Sequence, residues 1–278
     1  SSYGTIGSNE ALFAQQLYLV GDETDQPAGS LPQEGAQVVL FNQNAQGVLA
    51  QQNDNTDSPA INSVSAQITD GKAIPENGGV VFPNPNAPTG ILMPLSEIED
   101  IIAHNRDVIV VVDEAYVDFG AASALPLIEK YDNLLVVQTF SKSRGMAGMR
   151  IGYAMGNPVL IKYLNDVKYS FNSYTMDQTT LALGAAAIAD RAYFEETVHK
   201  VVETREWTKK ELTKLGFVFG DSKANFIFAS HPEIPAADLF AALREANIIV
   251  RYFNKPRIAN YLRITIGTQE DMEKLIEF

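Results

Sequence analysis

Hydrophobic residues along the chain form a clear pattern only from Gly79 onward. Four short apolar runs there end at turn residues or charges and are too short for helices, so each is predicted to be a β-strand. These runs lack the alternation of a half-buried strand, which indicates a mostly parallel sheet buried on both faces. The predicted strands cover residues 79–82, 108–112, 134–138 and 149–154. Helical periods separate and follow them, over residues 95–105, 158–169, 176–189 and 193–215.

The C-terminal part of the chain has shorter elements of both kinds. Strands are predicted at residues 217–219, 225–229, 248–251 and 261–266, and helices at 236–246 and 269–277. We therefore expect an α/β fold: a large domain at residues 1–190, with a mostly parallel sheet flanked by helices, and a small α+β domain at 191–278, joined to it by a long helix. Residues 1–78 are rich in Gln, Asn, Ser, Gly and Asp and have no clear pattern.

Composition narrows the possible functions. With 278 residues, 46% of them hydrophobic, the chain can bury a large core. It contains no cysteine and its three histidines lie far apart, so a metal site is not expected. The net charge of -13 opposes binding to nucleic acids or anionic membranes. No apolar run approaches the roughly 20 residues of a membrane span and no secretory signal is recognisable, so we expect a cytoplasmic protein with a small-molecule ligand.

Polar segments directly follow three of the predicted strands. Ligands of α/β sheets bind at the carboxyl ends of strands, so these segments are candidate parts of a site. They are Pro-Asn-Pro-Asn-Ala-Pro-Thr-Gly at residues 83–90, Asp-Glu-Ala-Tyr at 113–116 and Thr-Phe-Ser-Lys at 139–142. Taken singly, each could be a turn, a helix cap or a surface lysine. A non-catalytic, doubly wound nucleotide-binding protein could also carry them, although no glycine-rich dinucleotide fingerprint follows an early strand.

Taken in order, these segments resemble those of the fold-type I pyridoxal phosphate aminotransferases, and within them the histidinol-phosphate aminotransferase branch. The resemblance extends over residues 79–278 and includes Ser-Lys-Ser-Arg-Gly-Met-Ala-Gly-Met-Arg-Ile-Gly at 141–152 and Leu-Arg-Ile-Thr at 262–265. It implies the fold-type I architecture, pyridoxal 5'-phosphate as cofactor and a homodimer. It also implies which residues bind the cofactor and the substrate.

The resemblance first assigns residues around the reactive part of the cofactor. Lys142 would hold pyridoxal phosphate as a Schiff base and later move the substrate α-proton, since an amine can act as nucleophile and as base. Asp113 would face the pyridine nitrogen and keep it protonated, so that the ring accepts electrons. Tyr116 would donate a hydrogen bond to the phenolic oxygen and stabilise its ionised form. The family has an asparagine for this oxygen at the position of Ala87, and Asn86 is the candidate to replace it here.

A second group of residues is implied for the cofactor phosphate. Hydroxyls, backbone amides at a helix start and a guanidinium are suitable ligands for a dianion. Thr139, Ser141 and Arg150 match the family positions with these groups. Ser8 and Asn9, in Gly-Ser-Asn-Glu at residues 7–10, resemble a family turn that contributes backbone amides, although a capped helix start would have the same sequence.

Two arginines are implied for the substrate. Arg263 matches the family arginine for the anionic group of the substrate, and Arg251 resembles a second one of the histidinol-phosphate branch. The resemblance thus implies transfer of an amino group between L-histidinol phosphate and 2-oxoglutarate, a reaction of histidine biosynthesis. An aromatic amino-acid aminotransferase and a threonine-phosphate decarboxylase are alternatives on the same fold.

Overall fold

The computed structural model describes residues 79–278, which form two compact units. Within this range the first unit contains residues 79–83, 93–115 and 123–188, and the second contains 84–92, 116–122 and 189–278. The two short segments 84–92 and 116–122 therefore belong with the C-terminal part of the chain. Each unit thus combines separate stretches of the chain, whereas each of the predicted domains, 1–190 and 191–278, is one continuous stretch.

The first unit contains a four-stranded sheet with the order β1-β2-β3-β4. Its strands are β1 at Gly79–Pro83, β2 at Ile109–Asp113, β3 at Leu134–Thr139 and β4 at Gly152–Gly156. The first three strands are parallel, and β4 pairs with β3 in the antiparallel direction. Pro83 is paired with Asp113, and Asp113 with Val137, so the three parallel strands end at one edge of the sheet.

Helices cover both faces of this sheet. Helix α1, Leu95–His104, packs Ile98 and Ile102 against one face, and helix α2, Pro158–Phe171, packs Leu160 and Leu164 against the other. Successive valines of β2 point to opposite faces and so belong to different cores. This arrangement confirms the predicted α/β fold with a mostly parallel sheet flanked by helices.

Strand β4 begins later than the predicted strand at 149–154. Ala147–Met149 form a 3-10 turn, and Arg150 has φ 57, in the left-handed region that an extended strand cannot include. The prediction was therefore wrong at the start of this strand, because hydrophobicity alone does not reveal the turn. Helix α3, Gln178–Ala189, completes the unit.

The second unit contains the long helix α4, Arg191–Lys214, and an antiparallel sheet with the order β5-β6-β8-β7. The strands are β5 at Val218–Phe219, β6 at Phe226–Ser230, β7 at Arg251–Tyr252 and β8 at Leu262–Thr265. Helices α5, Ala236–Glu245, and α6, Gln269–Glu277, pack with α4 on this sheet. The C-terminal part is thus an α+β structure, as predicted.

The predicted strand at 248–251 is reduced to β7. Asn247 has φ 61, and the N–H of Ile248 donates to the Leu243 carbonyl at 2.8 Å. These residues form the left-handed C-terminal end of α5. Its hydrogen bonds use backbone groups that a strand would need for pairing. Among residues 79–278, no helix is long and apolar enough to cross a membrane.

Candidate active site

Asp113 is the last residue of β2, at the edge where the parallel strands end. Its Oδ1 accepts a hydrogen bond from the Ala115 N–H at 3.0 Å. Burial raises the pKa of the Asp113 carboxyl, whereas that hydrogen bond and the positive charge of Lys142 act in the opposite direction. The first unit therefore brings the predicted lysine and carboxylate within electrostatic reach of each other.

Lys142 is exposed and belongs to a loop between β3 and β4 that closes on itself. The Phe140 N–H donates to the Ile151 carbonyl at 3.0 Å, and the Met146 N–H donates to the Phe140 carbonyl, also at 3.0 Å. Arg144 holds the loop to α3, because its Nη1 donates to the Ala187 carbonyl at 2.7 Å. The lysine is thus carried by a short, anchored segment at the end of a buried strand.

Hydroxyl and guanidinium groups lie on the same loop. Thr139 Oγ1 lies 3.0 Å from Ser141 Oγ and 3.1 Å from the Ile151 carbonyl oxygen, and it accepts from the Ser141 N–H at 3.1 Å. Arg150 is exposed, and its Nη1 donates to the Ala147 carbonyl at 2.6 Å. Two hydroxyls, a backbone N–H and an arginine on one closed loop form a donor set that suits a phosphate dianion.

A buried polar network that we did not predict lies beside these residues. Glu114 is 1% exposed and accepts hydrogen bonds from Ser123 Oγ at 2.6 Å, the Ala124 N–H at 2.6 Å and Gln138 Nε2 at 2.8 Å. The Tyr153 hydroxyl donates to Gln138 Oε1 at 2.6 Å. The network joins the ends of β2 and β3 to β4, and thereby supports the edge that carries Asp113. The adjacent pair Asp-Glu at a strand end was its only sequence signal.

Tyr116 belongs to the second unit, where it directly precedes the 3-10 turn Val117–Phe119. Its ring meets the ring of Phe226 edge-on, with 5.1 Å between the centroids. Asn86, in the same unit, uses its backbone to close a turn, since its N–H donates to the Ile91 carbonyl at 2.8 Å and its carbonyl accepts from Gly90 at 2.7 Å.

Arg251 and Arg263 are paired directly across β7 and β8. The Arg263 guanidinium lies over the Phe226 ring at 5.1 Å and the Phe253 ring at 5.7 Å, and Arg251 lies over the Phe253 ring at 5.4 Å. The Nε of Arg263 is buried and has no hydrogen-bond partner among the described residues. A buried donor without a partner is costly, so an anionic ligand is a suitable acceptor for it.

The predicted site residues thus fall into two sets. The first unit brings together Asp113 and Lys142 with Thr139, Ser141 and Arg150, and the second contains Asn86, Tyr116, Arg251 and Arg263. Phe226, which we did not predict as a site residue, contacts both Tyr116 and Arg263. Ser8 and Asn9 lie outside the described residues.

A family model described as aminotransferase class I and II matches residues 39–278. The chain belongs to this family. Curated relatives include the histidinol-phosphate aminotransferase of Lactococcus lactis subsp. cremoris (strain SK11), which is 55% identical over 203 residues, or 73% of this chain and 57% of that protein. The histidinol-phosphate aminotransferase of Pseudomonas putida (strain KT2440) is 54% identical over 201 residues, or 72% of this chain and 58% of that protein. The chain thus spans less than two thirds of the length of these family members.

Crystal structures of family members have the same fold. The histidinol-phosphate aminotransferase from Clostridium acetobutylicum matches with a TM-score of 0.68 and 22% identity, over 78% of this chain and 65% of that one. The enzyme from Sinorhizobium meliloti, in complex with pyridoxal-5'-phosphate, matches with a TM-score of 0.65 and 23% identity, over 77% of this chain and 58% of that one. The expected fold-type I architecture is confirmed, and a doubly wound nucleotide-binding protein is not favoured.

Proposed function

We propose that this chain carries the active site of a pyridoxal phosphate-dependent aminotransferase that transfers an amino group between L-histidinol phosphate and 2-oxoglutarate in histidine biosynthesis. The observation that carries the proposal is that Lys142, on a loop with the hydroxyls of Thr139 and Ser141, lies within electrostatic reach of the partly buried Asp113 carboxyl. The names of the curated relatives support this choice of substrate over the aromatic and decarboxylase alternatives.

The residues of the first unit suit the cofactor. When bound, pyridoxal phosphate supplies a ring that accepts electrons from the substrate α-carbon. Asp113 would hold the proton on the pyridine nitrogen, and that positive charge would in turn favour the ionised carboxylate despite its burial. Thr139, Ser141 and Arg150 would bind the phosphate, together with the backbone amides of Ser8 and Asn9. From the second unit, Asn86 would take the place of the family asparagine that is missing at Ala87.

Lys142 has two tasks in this proposal. Its Nζ would hold the cofactor, and as a free amine it would accept the proton from the substrate α-carbon. The same Nζ would return a proton to that carbon when the oxo acid is the substrate. The short, anchored loop restricts the motion of Lys142, which would reduce the entropic cost of positioning its amine.

The second unit contains two arginines that suit the substrate and a tyrosine that suits the cofactor. Arg251 and Arg263 would bind the phosphate of histidinol phosphate or a carboxylate of the oxo acid, and Tyr116 would donate its hydroxyl to the phenolic oxygen of the cofactor. The aromatic rings of Phe226 and Phe253 hold the Arg263 guanidinium in a fixed plane, which favours bidentate recognition of an anion.

Reduction with borohydride tests the cofactor site. After incubation of the chain with pyridoxal phosphate, borohydride should attach the cofactor permanently to Lys142, as detected by peptide mass mapping. Lys142→Ala should lose the visible absorbance and the labelled peptide, whereas the control Lys168→Ala on α2 should keep both. Equal labelling of Lys142→Ala and the parent would refute the assignment.

Half-reactions test the substrate. Histidinol phosphate should convert the bound cofactor to its amine form faster than phenylalanine does, and 2-oxoglutarate should restore it. Release of carbon dioxide from threonine phosphate without an oxo acid would instead indicate the decarboxylase. The homodimer and the cytoplasmic location stay predictions, and light scattering of the purified chain tests the first of them.

A further inference from the structure

Outside the proposed site, Arg205 is a charged residue in the middle of α4 that is only 2% exposed. Its Nη1 donates to the Phe119 carbonyl at 2.8 Å and to the Ala224 carbonyl at 2.9 Å. Its Nε and Nη2 both lie 2.9 Å from Oε1 of the neighbouring Glu206. Burial of an arginine is costly unless such partners compensate it, so these hydrogen bonds indicate a structural role for Arg205.

The two carbonyls that Arg205 holds belong to the chain segments that carry Tyr116 and Phe226. Phe119 ends the 3-10 turn that begins after Tyr116, and Ala224 lies two residues before Phe226. The ring of Tyr116 packs edge-on against Phe226 at 5.1 Å. A single guanidinium therefore fixes the backbone next to both members of this aromatic pair.

The chemistry of the guanidinium suits this task better than that of other side chains. It presents five N–H donors in a rigid plane, whereas lysine carries a point charge that cannot hold two carbonyls and a carboxylate in one fixed geometry. The turn also lies against the group, since a Cβ added at Gly120, where φ is 108°, would be in ordinary contact with Nη2 of Arg205, at 3.8 Å. An apolar side chain could fill the space but could not hold the carbonyls.

We propose that Arg205 is a positioning residue that sets the place of the Tyr116 hydroxyl through the Phe119 and Ala224 carbonyls. The inference rests on the proposed function, in which Tyr116 donates to the phenolic oxygen of the cofactor. Loss of the guanidinium allows the turn to move and weakens that hydrogen bond. The cofactor oxygen then keeps its proton to a higher pH.

Hydrogen exchange of the cofactor-free 278-residue chain tests the structural half of the proposal. In Arg205→Met, the amides of Phe119 and Ala121, which bond to Tyr116 and Val117, should exchange about tenfold faster or more, as expected when charge-assisted hydrogen bonds are lost. The control is Thr208→Val, a buried position on the same helix whose hydroxyl donates to the Thr204 carbonyl. Faster exchange limited to the turn supports the proposal, and an equal increase throughout the unit overturns it.

A pH titration of the visible absorbance of the bound cofactor tests the functional half. Tyr116→Phe should raise the midpoint by about one pH unit, equal to one ordinary hydrogen bond. Arg205→Met should raise it by part of that amount, and Arg205→Lys, which retains the charge, should raise it by less than Arg205→Met does. The double variant of Tyr116→Phe and Arg205→Met should match Tyr116→Phe alone, because Arg205 acts through Tyr116.

The outcomes separate this proposal from the proposed function. Additive shifts in the double variant, or no shift in either Arg205 variant while Tyr116→Phe shifts, would overturn the positioning role. A parent chain that gains no visible absorbance with pyridoxal phosphate would refute the proposed function instead. In that case the exchange rates alone decide whether Arg205 holds the Tyr116 turn.

Discussion

Arg251 and Arg263 lie directly opposite each other on antiparallel strands, and both guanidinium groups contact the ring of Phe253. Like charges in this arrangement repel each other and destabilise the sheet. Cation–π contacts with Phe253 and Phe226 offset part of that cost. An anion bound between or beside the two groups would remove the repulsion. The pair therefore indicates an anion-binding site, and the chain should be less stable without the anion than with it.

Replacement of Arg263 should therefore weaken anion binding without loss of stability. We expect Arg263→Met to raise the dissociation constant for histidinol phosphate by about 10- to 100-fold, the loss of one or two charge-assisted hydrogen bonds. The thermal midpoint of the ligand-free chain should stay equal or rise, because repulsion and an unpaired buried Nε are removed together. Calorimetric titration and thermal unfolding measure these effects. The control Arg244→Met, an exposed arginine of α5, should leave binding unchanged.

Asp113 should make the cofactor-free chain less stable as the pH rises. Burial raises the pKa of its carboxyl in the folded chain, so the folded state holds a proton that the unfolded state releases above about pH 3.9. The stability contributed at low pH is then lost as the pH rises through the folded pKa. Asp113→Asn keeps an acceptor for the Ala115 N–H and should be more stable than the parent at pH 7 but not at pH 3.

Urea unfolding of both proteins at these two pH values measures the effect. Added pyridoxal phosphate should make the parent more stable than Asp113→Asn at pH 7, since a protonated pyridine nitrogen requires the ionised carboxylate. An Asp113→Asn variant that is less stable than the parent at pH 7 without cofactor would contradict the account.

Glu114 should be essential for the stability of the sheet edge. Glu114→Gln places an amide donor where Ser123, Ala124 and Gln138 all donate, and leaves at least one buried donor without a partner. We expect a loss of about 2–4 kcal/mol in the free energy of unfolding. Chemical denaturation measures it. The control Glu129→Gln, at an exposed position, should change it by less than about 0.5 kcal/mol.

Some of these relationships could be predicted from the sequence and others could not. The proximity of Asp113 and Lys142 followed from a general rule, because both come directly after apolar runs that form neighbouring parallel strands. Arg205 has no such signal, since a charged residue in a long helix with many charges is expected on the exposed face. Its partners, Phe119 and Ala224, are backbone carbonyls, and any residue type can supply these. The left-handed residues Arg150 and Asn247 make β4 and β7 begin later than predicted, for reasons of backbone conformation that hydrophobicity does not encode.

The turn that carries Asn86 depends on Gly90. This residue has φ +75, and a Cβ added to it would overlap the hydroxyl of Ser222, which donates to the Phe226 carbonyl at 2.5 Å. Gly90→Ala should therefore lose about 2 kcal/mol or more in the free energy of unfolding, from strain and from displacement of a buried hydrogen bond. Gly148→Ala is the matched control, because its Cβ would have open space, and it should be neutral. A thermal midpoint of Gly90→Ala equal to that of Gly148→Ala would show that the turn tolerates a side chain, and the close packing of Gly90 on Ser222 would then contribute nothing to stability.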